Sequence, residues 1–203
     1  MNIFKSGSWW PWFWANTLAL DFGFGFLAVV SQLVDLLGAH GPTALGLAAH
    51  ISAIFVGGAV LGFLQQRVLA LSPAEKKRWT LVTPLVYTVS FIAGEIAGGL
   101  LFSLAIAMAL FGLLSGLWQS VVLRNYTDNA GRWIVISALG FAAGGLVASA
   151  LLFSVYRLLG PAFFEIPAVL AQALIGAVCG AVAGYTTGLG LKKLLRNSKE
   201  SST

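Results

Sequence analysis

Six apolar runs, each about as long as a helix needs to cross a bilayer, follow one another with short gaps between them. They cover roughly residues 13–37, 45–68, 79–98, 101–123, 133–157 and 168–191. The chain is 58% hydrophobic and 9% charged, with a mean hydropathy of +0.88, whereas a soluble domain carries about 25% charged residues. A soluble fold of 203 residues cannot hide that much apolar surface, so lipid is the expected solvent. The expected fold is all-α: a polytopic membrane protein of six transmembrane helices. One transmembrane domain takes up residues 1–203, with 192–203 as a polar C-terminal tail.

The gaps carry the topology signal. The third and fourth runs leave only a tight turn near Gly98 and Gly99, and the fifth and sixth are parted by RLLGPAFFEIP, whose prolines interrupt helix. Lys5; Arg67, Lys76, Lys77 and Arg78; Arg124 and Arg132; and Lys192, Lys193, Arg196 and Lys199 all fall on one side if six spans are threaded. Every Lys and Arg except Arg157 is then cytoplasmic, and so are both termini. The net charge of +5 does not point to nucleic acid, which would need one contiguous basic face. Cys179 is the only cysteine, which excludes an internal disulfide, and no cleaved signal peptide is evident.

The chain also repeats itself. Gly58, Gly62, Gln65, Val68, Leu69, Arg78, Trp79 and Leu85 align without a gap on Gly112, Gly116, Gln119, Val122, Leu123, Arg132, Trp133 and Leu139. Gly180, Gly184, Thr187, Leu191 and Lys192 continue the pattern in the last helix. The odd-numbered helices match as Trp14/Leu20, Trp79/Leu85 and Trp133/Leu139. The expectation is one helical hairpin written three times. The paired glycines, four apart, let another backbone approach closely. Gln65, Gln119 and Thr187 share those faces near the cytoplasmic boundary. Either they form a polar ring that ties the hairpins together, or each amide reaches interfacial water. Trp14, Trp79 and Trp133, with Trp9, Trp10, Trp12 and Trp118, suit a cytoplasmic aromatic belt.

Three residues are candidates for ligand binding. Asp21 falls about 10 Å into the membrane, counted from Trp14, where a carboxyl is costly and marks a functional site by default. The alternative is that it bonds a neighbour such as Asn16 or lies at the interface. Glu95 falls in the last turn before the outer bend. His50 lies near the outer end of the second helix, with His40 in the loop before it. Either histidine could ligate a metal or haem, but no matching histidine recurs on another helix. Pro84 either kinks the third helix or sits in its first turns. Zincin, P-loop and nucleophile-elbow motifs are absent, as is any close carboxylate pair, so no enzyme, no metal site and no obligatory cofactor is expected.

The pattern G-x-x-x-G-x-x-Q-x-x-V-L-R followed by Arg-Trp and a Gly/Ala-rich helix spans 112–145, with a degenerate copy at 58–91. It resembles a group of uncharacterised multi-pass membrane proteins of cyanobacteria and some other bacteria, in which the phrase runs Gln-Trp-x-Val-Leu-Arg. Here Trp118 and Gln119 stand in the reverse order, and Gln65-Gln66 replaces the pair. The resemblance implies a small polytopic protein of a bacterial plasma membrane or thylakoid, and implies no activity. Two functions fit. One is a non-catalytic membrane module: a subunit, assembly factor or lipophilic-ligand binder whose Gly-lined faces take other membrane subunits, lipids, quinones or pigments. The other is a small-solute transport component, such as the substrate-binding subunit of a vitamin or metal importer, using Asp21, His50, Glu95 and the loop 158–167.

Overall fold

The computed structural model describes residues 4, 8–38, 43–159 and 167–200, with the side chains of 98–102 and 195–200 outside the description. Lys5, His40 and most of the 158–167 loop fall outside the described residues. Six helices are long and apolar enough to cross a membrane. They are α1 (Trp10–Leu36), α2 (Ala44–Val68), α3 (Pro73–Ala97), α4 (Ser103–Leu123), α5 (Arg132–Leu159) and α6 (Ala168–Glu200). No strand of a sheet occurs among the described residues; one antiparallel bridge joins Phe4 to Leu69.

Local chemistry sets the ends. Pro11 suits a first helical turn, so α1 begins three residues before the expected position. Ser72 and Glu75 close a capping box around Pro73, starting α3 six residues ahead of Trp79. Gly38, at φ 72°, ends α1 in the left-handed region that glycine tolerates. The sixth helix runs past its expected end at 191, so the polar tail is helical as far as Glu200, and Leu194 is buried at the end of the bundle that holds Trp12.

Helical backbone is continuous from Pro73 to Leu123, 51 residues that would span about 76 Å if straight. It is not straight. The rings of Tyr87 and Phe111 lie 5.2 Å apart, and a Cβ at Gly94 would meet the Cβ of Ala107 at 2.6 Å. The chain therefore reverses between Gly94 and Ser103, and α3 and α4 are antiparallel neighbours. Each helix packs on the next in sequence, and α6 returns to pack on α1, so the six close into a ring.

Two clusters fill the ring. Midway along it, Phe24, Tyr87, Phe91, Phe111 and Phe141 form a chain of ring contacts among Leu20, Leu61 and Met108. At the end nearer both termini, Trp12, Trp79 and Trp133 meet, with Trp12 edge-on to the other two at 6.3 and 6.0 Å. Phe4, Leu69, Leu71, Leu123 and Leu191 close that end beneath them.

Candidate functional site

Glycine positions the polar site around the Trp trio. A Cβ on Gly58 would stand 2.7 Å from the Cα of Pro84 and 2.8 Å from the Cβ of Tyr87. One on Gly112 would stand 2.9 Å from both the Cα of Ala138 and the Cβ of Phe141. The two sets are related by the same displacement that carries Gln65 to Gln119. Gly62 abuts the Thr83 side chain, and Gly116 abuts Ile134 and Ser137. Gly180 and Gly184 approach the backbone of α1 at Asn16, Thr17 and Phe13. All six glycines lie at helix crossings, α2 on α3, α4 on α5 and α6 on α1, and all but Gly62 abut the neighbour's backbone. Pro84 supplies part of the first crossing, while its carbonyl accepts from Thr88 Oγ1 at 2.8 Å. Sequence reading missed several other crossings: Gly23 against Gly57, Gly140 and Gly144 against α6, and Gly145 against α4.

One turn further in, each crossing carries a tryptophan bond. The Trp79 indole N–H donates to Gln65 Oε1 at 3.1 Å, and that of Trp133 donates to Gln119 Oε1 at 2.8 Å. The Trp12 indole N–H donates to Thr187 Oγ1 at 2.9 Å. Gln65 Nε2 donates to Asn16 Oδ1 at 2.9 Å, Asn16 Nδ2 to the Trp12 carbonyl at 2.8 Å, and Gln119 Nε2 to Gln65 Oε1 at a longer 3.5 Å. All of these groups are buried. The amides therefore bond to protein; they do not reach out to interfacial water. Burying them without partners would be costly, and here every amide is paired.

The first helix differs from the expected alignment. Trp14 is 54% exposed, and Trp12, two residues earlier, stands with Trp79 and Trp133 in the buried trio. Trp79 and Trp133 face inward and are fully buried, unlike belt residues facing headgroups. Trp12 was legible only as one of four tryptophans in SWWPWFW, where identity alone could not choose the register. With Trp12 as reference, Asn16 stands where Thr83 and Ser137 stand. The third crossing thus carries its amide on the odd helix, beside the shorter Thr187.

A second polar link crosses the same end of the bundle. Glu75, already part of the α3 cap, accepts from Asn125 Nδ2 at 2.9 Å and from the Tyr126 hydroxyl at 2.7 Å. Burial, and then the bond to Glu75, push the Tyr126 hydroxyl up to about 12, so it stays a donor at neutral pH. None of the three had been singled out, because the contact joins the first turn of α3 to the α4–α5 loop, 51 positions further on.

The structure brings His50 and Glu95 together and leaves Asp21 elsewhere. His50 Nε2 and Glu95 Oε1 lie 3.1 Å apart on partly exposed side chains at the end of the bundle away from the Trp trio, near the start of α2 and the end of α3. Asp21 lies on α1 beside Gly176 of α6, whose Cβ would meet the Asp21 Cα at 3.0 Å. The Gly23–Gly57 contact aligns α1 with α2, which puts His50 about 13 Å further along the bundle axis than Asp21. Among the described residues no three of His, Cys, Asp or Glu come together as a metal site would require.

No family model matches the chain, and no curated protein or solved structure matches it either. The class is the one its fold defines: an all-helical protein with six helices long and apolar enough to cross a membrane, as a multi-pass membrane protein has.

Proposed function

We propose that the chain is a non-catalytic integral membrane module, a subunit, assembly factor or lipophilic-ligand binder of a bacterial plasma membrane or thylakoid. Its hairpin is triplicated, and both termini are cytoplasmic. One observation carries this reading: the ring interior is filled by aromatic rings and by amides already paired with one another. An interior so occupied leaves the lipid-facing surfaces to do the binding. The basic residues Arg67, Lys76, Lys77, Arg78, Arg124, Arg132, Lys192 and Lys193 all lie at the end that carries the Trp trio, which supports the orientation. Native purification followed by mass spectrometry of co-purifying proteins and extractable small molecules tests the proposal. Stoichiometric membrane proteins or an apolar ligand are expected, and a stoichiometric vitamin or metal ion would overturn it.

The second reading, a small-solute transport component, draws on the His50–Glu95 pair, a polar group near the outer surface where a substrate would first bind. Solute uptake by proteoliposomes, abolished by Glu95→Gln, would favour it over the module.

A further inference from the structure

Asp21 is the one acidic or basic side chain in the middle of the described helices. Arg78 and Arg132, which precede Trp79 and Trp133, mark the inner rim, and Pro11 holds that place before Trp12. Asp21 lies ten positions further on, about 15 Å deep in a hydrocarbon layer about 30 Å thick. It is half-buried at the seam between α1 and α6, and no described residue bonds its carboxyl. The residues that stand in its place on the other odd helices are Thr88, which bonds the Pro84 carbonyl, and Ala142. The shared architecture therefore does not ask for an acid here. Every described Lys and Arg lies at one rim or the other, so the chain has no cation at this depth to offer.

The surface beside Asp21 differs in the same way. The exposed stripe of α1 reads Trp14, Leu18, Phe22, with the Phe22 and Phe26 rings stacked at 5.6 Å. The corresponding stripes are Leu81, Leu85, Val89 on α3 and Val135, Leu139, Ala143 on α5. Lipid contact alone is met by aliphatic side chains at the same depths. A carboxyl group in hydrocarbon requires a hydrogen-bonding partner, and residues of this kind mark interaction sites by default. We propose that α1 docks a transmembrane helix of another protein, which presents a basic or amide side chain to Asp21 at mid-depth while packing on Trp14, Leu18 and Phe22. This names the partner's chemistry for the module described above and rests on that reading.

The test is photo-crosslinking in the native host membrane. Leu18→p-benzoylphenylalanine probes the α1 face, and the same replacement at Leu85 and Leu139 probes its counterparts. Expected is a protein adduct from position 18 at least tenfold stronger than from 85 or 139. Its attached segment should be apolar and carry Lys, Arg, His, Asn or Gln within a turn of the attachment point. Asp21→Leu should cut that adduct at least tenfold, with its thermal midpoint in detergent matching the parent's, and Asp21→Asn should retain more of it than Asp21→Leu does. If Asp21→Leu fails to fold, the ordering of Asp21→Asn below the parent carries the test. The inference is overturned by lipid adducts alone at position 18, by an adduct to a second copy of this chain, or by an adduct indifferent to both variants. Protein adducts only from 85 or 139 would overturn it and leave the module reading standing. Absence of protein adducts at all three positions, with a co-purifying vitamin or metal, would end both.

Discussion

At the residue scale, the buried indole N–H groups carry the polar site, and the choice between Trp12 and Trp14 is testable. Trp79→Phe removes a donor from Gln65 Oε1, leaving only the 3.5 Å bond from Gln119. The expected loss is about 0.5–2 kcal/mol, the range for hydrogen bonds between membrane helices, read as a lower thermal midpoint in detergent. Trp12→Phe should cost a similar amount, and Trp14→Phe, on the exposed face, should move the midpoint little. Asn16 and Thr187 make a sharper case, because this crossing has exchanged which helix carries the amide. Thr187→Gln overpacks against Asn16, and Asn16→Thr strands Gln65 Nε2 without its acceptor. The double variant rebuilds the arrangement of Gln65 with Thr83. It should therefore be more stable than the sum of the single losses predicts, by a coupling of about 0.5–3 kcal/mol, measured as a double-mutant cycle. The pairing of an amide with a tryptophan 14 positions on was written in the sequence twice. Its third instance was not, because the partners are 175 positions apart and the amide had changed helix.

At the element scale, the helix crossings depend on where a side chain is missing. A Cβ at Gly58 or Gly180 meets backbone atoms at 2.6–2.7 Å, and backbone cannot swing aside as a side chain end can. Gly58→Ala and Gly180→Ala should each cost about 1–3 kcal/mol through forced displacement of a helix. Gly131→Ala, with nothing within 4 Å, should stay within about 0.5 kcal/mol. Thermal unfolding in detergent of the three variants side by side would check the order. The spacing of four between Gly58 and Gly62, or between Gly112 and Gly116, was enough to say that each pair shares a face. It could not say which neighbour that face meets. Gly140, Gly144 and Gly145 show why: they are consecutive or nearly so, yet they serve two different neighbours, α6 and α4. The reversal between α3 and α4 was also readable, from the room left between Trp79 and Arg124, although the chain turns there with its helical backbone continuous.

At the scale of the whole molecule, the ring closes on itself, since α6 meets α1 through Gly180, Gly184 and the Trp12–Thr187 bond. Connectivity should then be replaceable. A chain opened in the α4–α5 loop between Asn125 and Gly131, with its natural ends joined by a flexible linker, keeps every helix direction. It should fold with the Trp environment largely intact, because the helix crossings set the ring, although the cut falls in a loop whose Thr127 and Ala130 are buried against that end of the bundle. Near-ultraviolet circular dichroism of the buried tryptophans would check it. A native-like spectrum is expected, and its loss would show that the ring depends on the order of synthesis. The cut severs Tyr126 and Asn125 from part of their loop, so a modest destabilisation through Glu75 is expected.

Hydropathy and glycine spacing by themselves determined the number of helices, their approximate ends and the backbone-close faces. These are local properties: a run must be apolar to enter lipid, and a missing side chain is visible one residue at a time. Tertiary structure alone decided that Trp12 joins the buried trio in place of Trp14, that Asn16 supplies the third amide, and that His50 reaches Glu95 while Asp21 reaches nothing described. Each of those depends on the rotation and axial offset of one helix against another. A shift of two residues turns a helical side chain through roughly 200°. The sequence pattern tolerates such a shift, and close packing does not.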